Sequence, residues 1–313
     1  MPLNKSQAPR VLIVDDIHPI FLDIIQNAGF MVDYRPLITY QETCNCISDY
    51  QVLVLRSKFK VDPPLIDLAN NLKVIARAGA GVDNIDIDYA EQKDIQLISA
   101  NEGNCDAVGE HMLGMLLSLS NNLHVADSEI REGKWLREEN RGFELGGKSV
   151  ALIGYGNNGQ AMARKLSGFE VEILAYDKYR VNYSDAFANE ATMADVFEKA
   201  DIISLHIPLT TETRGLINER FISQFEKPFY FLNGSRGEVV NMVDILRGLE
   251  NRKILGAAFD VLPVENFPAL AFTDWFEELK KYPNVLLSPH IAGWTTESYF
   301  KIAKVLAEKL VSL

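Results

Sequence analysis

The apolar positions fall in short runs, separated by stretches in which they recur every three or four residues. Residues 11–14 (VLIV), 52–55 (VLVL), 74–76 (VIA) and 96–99 (QLIS) read as strands, and 30–34 (FMVDY) as a weaker one. Residues 17–27 have helical spacing and stop at Gly29, and another helix follows Asp62, where Pro63 and Pro64 suit a first turn. A long helical stretch over 106–132, ended by Gly133, leads into a second unit. There, strands at 150–153, 171–176, 201–205, 229–232, 254–258 and 285–287 are interspersed with helices at 158–166 and 193–199, and a last helix covers 295–311. Strands separated by helices predict an α/β chain of two doubly wound parallel-sheet domains.

Composition narrows the partners. A length of 313 residues suits two domains, and 47 % hydrophobic with 24 % charged residues gives each a core. A net charge of −12 repels phosphate backbones, which argues against nucleic acid or an anionic membrane as the partner. No apolar run approaches the ~20 residues of a membrane helix. The longest, around 111–119, contains His111 and Gly114 and reads as a buried helix. Cys44, Cys46 and Cys105 are odd in number, and the C-x-C pair has no second ligand pair, so no metal site is expected. The opening MPLNKSQAPR lacks the apolar core of a secretory signal, which with the cysteines points to the cytoplasm. Asp15 and Asp16 read as a solvated loop. A phosphoacceptor domain would need an aspartate where this chain has Leu55, Arg56 and Ser57.

The first chemical signal is Gly154-Tyr155-Gly156-Asn157-Asn158-Gly159, a G-x-G-x-x-G between an apolar strand and a helix. Gly154 permits the tight turn, Gly156 lets the backbone approach a pyrophosphate, and Gly159 lets helix and strand pack closely. The helix N-terminus offers N–H groups to an anion even in an acidic protein. Asp177 ends the next strand and can accept from both ribose hydroxyls, which favours NAD over NADP. Lys178 and Arg180 stand beside it as cations that tolerate an extra phosphate.

Further segments are RAGAGVDNID (77–86), HIPLT (206–210), LNGSRG (232–237), AFDVLPVE (258–265) and SPHIAG (288–293). With the glycine loop, in this order and spacing, they resemble the D-isomer-specific 2-hydroxyacid dehydrogenases over nearly the whole chain. RSKFK (56–60), RAGAGVDNID and NEGNCDAVGEH (101–111) resemble the phosphoglycerate dehydrogenase branch most. The resemblance implies a flavodoxin-like substrate domain, residues 1–101 and 289–313, with a Rossmann NAD domain, 102–288, inserted into it. It implies a catalytic set of Arg236, Glu265 and His290. Histidine titrates near neutrality and suits removal of a hydroxyl proton, a paired glutamate orients its ring, and a planar guanidinium grips a carboxylate with two bonds. By the same resemblance, His206, Ile207, Pro208, Gly234, Ser235, Ala292 and Gly293 join the cofactor site, and Asp260 accepts from the nicotinamide carboxamide. Of the other histidines, His111 is expected to buttress its helix, His124 to be structural and His18 to lie at the surface.

The resemblance also implies the substrate, a small 2-hydroxy or 2-keto acid, with 3-phosphoglycerate, at the entry to serine synthesis, expected first. The backbone of Ala78, Gly79, Ala80 and Gly81 would hold its carboxylate, and Arg56, Ser57, Lys58 and Lys60 its phosphate. Phe59 departs from the threonine usual in that branch, and Asn266 from a proline. The stretch 266–283 reads as an apolar-rich insertion that covers the active site or meets a partner. A homodimer pairing through 111–135 is expected. Serine inhibition is not, since no serine-sensing domain is seen. Hydroxypyruvate or glyoxylate reduction and D-lactate oxidation stay open, as does an NADH-responsive binding scaffold like the corepressors of this fold.

Overall fold

The computed structural model describes residues 8–313, so most of the opening segment lies outside the described residues. The chain forms two compact units. One comprises the described residues up to Cys105 together with Trp294–Leu313, and the other Asp106–Gly293. The expected boundaries, after residue 101 and before 289, fall four and five residues short of these.

In the first unit, β1 (Arg10–Ile13), β2 (Met31–Tyr34), β3 (Val52–Leu55), β4 (Val74–Arg77) and β5 (Gln96–Ser99) form a parallel sheet in the order β2-β1-β3-β4-β5. This is the flavodoxin-like order. The runs VLIV and VLVL have no polar face because both sides are covered. Val11, Ile13, Val52 and Val54 face a layer holding helices Ile20–Asn27 and Thr296–Ser312, while Leu12, Leu53 and Leu55 face the layer of Ile47, Leu65 and Ile66. The C-terminal helix therefore belongs to the first sheet. A Thr295 capping box starts it.

The second unit holds β6 (Ser149–Ile153), β7 (Glu172–Tyr176), β8 (Asn189–Glu190), β9 (Ile202–Leu205), β10 (Phe229–Asn233), β11 (Ile254–Phe259) and β12 (Val285–Leu287). Their order is β12-β11-β10-β9-β6-β7-β8, all parallel. Apart from the added β12, this is the doubly wound dinucleotide-binding order, with its switch point between β6 and β9.

The helix expected over 106–132 is two helices, Cys105–Ser120 and Leu123–Arg131. Asn122 sits between them in the left-handed region at φ +51°, and the Asn121 amide caps the Leu117 carbonyl at 3.0 Å. Asparagine tolerates this conformation and so ends a helix within an otherwise helical pattern. The stretch 266–283 folds as a short 3-10 turn and the helix Asp274–Leu279, with Leu270, Phe276 and Leu279 buried. Leu279 joins the core of the second unit, so part of the apolar content serves that unit's own packing.

Candidate active site

The glycine loop leaves β6 under tight constraint. Gly154 has φ +93°, and a Cβ there would lie 2.5 Å from the His206 carbonyl oxygen. A Cβ on Gly159 would lie 2.2 Å from the Gly154 oxygen, while one on Gly156 would meet nothing within 4 Å. Two glycines thus close the loop and the third leaves open space above it, which is the shape a pyrophosphate needs. Asn158 Oδ1 and His206 Nδ1 are buried here without a partner among the described residues. Asp177 accepts from the backbone N–H of Tyr155 and of Tyr179, each at 3.0 Å, and so is fixed at the end of β7. His206 Nε2 lies 3.0 Å from Ser204 Oγ, and burial lowers its imidazole from 6.5 to about 4, so the ring is neutral. These residues fit a dinucleotide: an open backbone loop, a carboxylate at the ribose position, and buried polar atoms awaiting partners.

The catalytic candidates follow the carboxyl ends of three adjacent strands. Arg236 comes after β10, Glu265 after β11 and His290 after β12. Strand ends are where open α/β sheets place ligands. His290 Nδ1 and Glu265 Oε2 lie 2.7 Å apart. Nδ1 carries the proton of that bond, which leaves Nε2 without a protein partner among the described residues. Arg236 is held near its chain neighbours: its guanidinium donates to the Ser235 carbonyl at 2.6 Å and its own carbonyl accepts from Asn233 Nδ2 at 3.0 Å. Gly234 and Gly237 make room for this turn, since a Cβ on Gly237 would lie 2.0 Å from the Leu262 backbone.

His290 itself has φ +56°, a conformation rarely adopted by a non-glycine residue. Asp260 holds it there. Its carbonyl accepts the His290 N–H at 2.7 Å, and its buried carboxylate accepts the N–H groups of Ile291 and Ala292, each at 2.9 Å. Ser288 Oγ donates to the same carboxylate at 2.6 Å. A hydroxyl has one proton to give, so at 2.9 Å it must accept from His111 Nε2. Most of the Asp260 acceptor capacity therefore serves the histidine loop. His111 does not simply buttress its helix, as expected, but extends the chain His111, Ser288, Asp260. Its partner is 177 residues away, so no local sequence signal marks it.

Residues 113–292 match the family described as D-isomer specific 2-hydroxyacid dehydrogenase, NAD binding domain. The chain belongs to that family. As a member of it, the second unit takes NAD as its cofactor. The chain is 34 % identical over 302 residues to a hydroxypyruvate reductase of Thermotoga maritima, covering 96 % of this chain and 97 % of that one. It is 32 % identical over 311 residues to a D-3-phosphoglycerate dehydrogenase of Archaeoglobus fulgidus, covering 97 % of this chain and 57 % of the relative. It thus spans little more than half the length of that enzyme. Among solved structures, PH0520 of Pyrococcus horikoshii matches with a TM-score of 0.83 at 26 % identity, over 98 % of this chain and 92 % of that one. A glyoxylate reductase from Paecilomyes thermophila matches with a TM-score of 0.86 at 21 % identity, over 97 % and 95 %, a likeness of fold alone.

The expected substrate contacts of this family member lie in the first unit. Arg56 places its guanidinium 4.3 Å from the centre of the Trp294 ring and 5.7 Å from that of Tyr299, and makes no side-chain hydrogen bond among the described residues. Ser57 and Lys60 are exposed. Lys58 is otherwise engaged, its ammonium donating to the carbonyls of Val14 and Pro36. Asp15 and Asp16 are not simply solvated. Asp15 accepts from the Arg56 and Lys58 backbone at 2.7 and 3.1 Å, and Asp16 from Tyr34 and Tyr299 at 3.1 and 2.6 Å. His18 is half-buried, edge-on to Tyr299 and Phe300, rather than at the surface. His124 joins Ser118 to the Pro283 carbonyl, a structural role. The 78–81 turn follows β4: Ala78 donates to the Leu55 carbonyl at 2.8 Å, and any Cβ on Gly79 would overlap the Arg77 guanidinium at 1.5 Å. Ala80 and Gly81 are partly exposed.

Proposed function

We propose that this chain is a cytoplasmic, homodimeric NAD-dependent dehydrogenase of D-2-hydroxy acids, with 3-phosphoglycerate as substrate and 3-phosphohydroxypyruvate as product. The observation that carries the reading is the 2.7 Å His290–Glu265 pair at strand ends of an NAD-binding sheet. His290 Nε2, left open by that bond, takes the proton of the substrate hydroxyl. Glu265 fixes the tautomer and stabilises the imidazolium that results. Arg236 takes the carboxylate and the oxygen on carbon 2 with its planar fork. Bound NAD supplies the hydride acceptor for carbon 2. Gly154, Gly156, Asn157, Asn158, Gly159 and Asp177 hold its phosphates and ribose, and His206, Ile207, Pro208, Gly234, Ser235, Ala292 and Gly293 its nicotinamide half. Asp260 accepts from its carboxamide with the capacity that the loop leaves. The backbone of Ala78, Gly79, Ala80 and Gly81 is proposed to hold the substrate carboxylate.

The phosphorylated acid is supported by the Archaeoglobus fulgidus relative and by Arg56, whose N–H groups are unengaged among the described residues. One observation favours a second reading, an unphosphorylated acid such as hydroxypyruvate or glyoxylate. The Lys58 ammonium is already satisfied by two carbonyls, which leaves the phosphate fewer cations than the sequence offers. The test is NADH formation from NAD with 3-phosphoglycerate, beside D-glycerate and D-lactate. Turnover of the phosphorylated acid alone is expected, and turnover of only the other acids would end the phosphoglycerate reading. In the same assay His290→Ala is expected to lose about 10²–10⁴-fold in kcat while still binding NADH. Near-normal turnover would remove His290 from the mechanism.

A further inference from the structure

The strand order puts β6 between β7 and β9, so the segments leaving β7 and β9 flank the glycine loop. A strap joins them. Lys178 Nζ, after β7, lies 2.6 Å from Glu212 Oε2, after β9, and the Tyr179 hydroxyl donates to the same oxygen at 2.6 Å. Glu212 rides on a fixed turn: Thr210 N–H donates to Thr213 Oγ1 at 2.8 Å, Thr213 Oγ1 to the Pro208 carbonyl at 2.7 Å, and Arg214 N–H to the Thr210 carbonyl at 3.0 Å. The bonds from Lys178 and Tyr179 hold the Glu212 carboxyl below its ordinary range, so it is ionised at neutral pH. The other nearby cation, Arg180, donates to the Tyr155 carbonyl inside the glycine loop and lies 5.7 Å from the Tyr183 ring centre.

Both cations next to Asp177 are therefore engaged. This matters because a dinucleotide fold tells NAD from NADP at this strand end. A carboxylate binds the 2′-hydroxyl and repels a 2′-phosphate, whereas a free cation accepts the phosphate. We propose that Glu212 is a specificity-determining residue: it holds Lys178 in the strap, away from a 2′-phosphate, and so enforces NAD over NADP. The proposal rests on the NAD-binding unit and stands whichever acid is the substrate.

Fluorescence titration of the purified full chain with NADH and NADPH, at low salt, tests it without turnover. Glu212 is exposed on its turn, so Glu212→Gln should fold. It is expected to raise the ratio of NADPH to NADH affinity about 2- to 5-fold, the scale of one exposed charge pair at low ionic strength. The same change in a Lys178→Gln background is expected to do little, because the cation it releases is gone. An unchanged ratio in Glu212→Gln would overturn the proposal. So would an equal gain with Lys178 absent, which would mean bulk charge rather than release of Lys178. A wild-type chain binding both coenzymes equally would overturn it too.

Discussion

At the scale of single residues, histidine chemistry divides by burial. His290 and Glu265 are both partly exposed and pair with each other, while His206 is half-buried beside Ser204, with its Nδ1 buried, and has its imidazole lowered to about 4. The lowered value has a definite sign. Between about pH 6.5 and about pH 4 the unfolded chain takes up a proton that folded His206 refuses, so stability falls as pH drops through that window. At its foot the loss from this residue is about 3 kcal/mol. His206→Asn, which cannot titrate, is expected to show a shallower decline in urea unfolding free energy from about pH 7 to about pH 4.5. Equal slopes in the two proteins would clear His206 as the cause. Candidates at this scale were readable from sequence, because His290, Glu265 and Arg236 sit in recognisable segments, and the fold brings His290 and Glu265 within 2.7 Å. The states of those residues were not: Lys58 reads as a free cation in RSKFK, and only the fold brings it to the Val14 and Pro36 carbonyls.

Elements with a strong local signature were legible and those defined by partners were not. Strands of unbroken apolar residues such as VLVL need no context, but β8 is only Asn189–Glu190 and exists because β7 pairs with it. The loop after β12 is another partner-defined element. SPHIAG advertises its histidine, whereas the left-handed backbone at His290 is held by Asp260 and, behind it, by Ser288 and His111. Ser288→Ala removes one donor from a buried carboxylate and leaves His111 with only its longer, 3.4 Å approach to Asp260. It is expected to cost about 1–3 kcal/mol of stability, the penalty for a buried acceptor left short. It is also expected to lower kcat more than it raises KM, since a loosened loop misplaces His290, the proposed proton acceptor. Urea unfolding and steady-state kinetics on the same preparation check both. A stability loss with kcat untouched would make the network a packing device rather than a positioning one.

For the whole molecule, what sequence conveys least is which apolar surface is left over. The segment 111–135 reads as a long, partly apolar stretch suited to pairing two copies, but its two halves differ. The helix Cys105–Ser120 buries Met112, Met115, Leu116 and Leu119 in the core of its own unit, and has little left for a partner. The helix Leu123–Arg131 buries none of its residues, and Leu123, Ile130 and the following Trp135 are 56 %, 52 % and 78 % exposed. An amphipathic helix whose Leu123 and Ile130 are left exposed among the described residues, with Val125 and Ala126 only half-buried, is poorly accounted for by a single chain, because burial of that face is the main support of a short helix. In the proposed homodimer a second copy laid against this segment would supply the cover, which would narrow the dimer contact to residues 123–136. Light scattering at micromolar concentration is expected to give a dimer mass for the native chain and a monomer mass for Ile130→Glu with Trp135→Glu. Both substitutions lie on exposed positions, so far-UV circular dichroism should stay unchanged in the monomeric variant. A native chain that is monomeric throughout that range would end the dimer proposal, and a dimer that survives both charges would move its contact elsewhere.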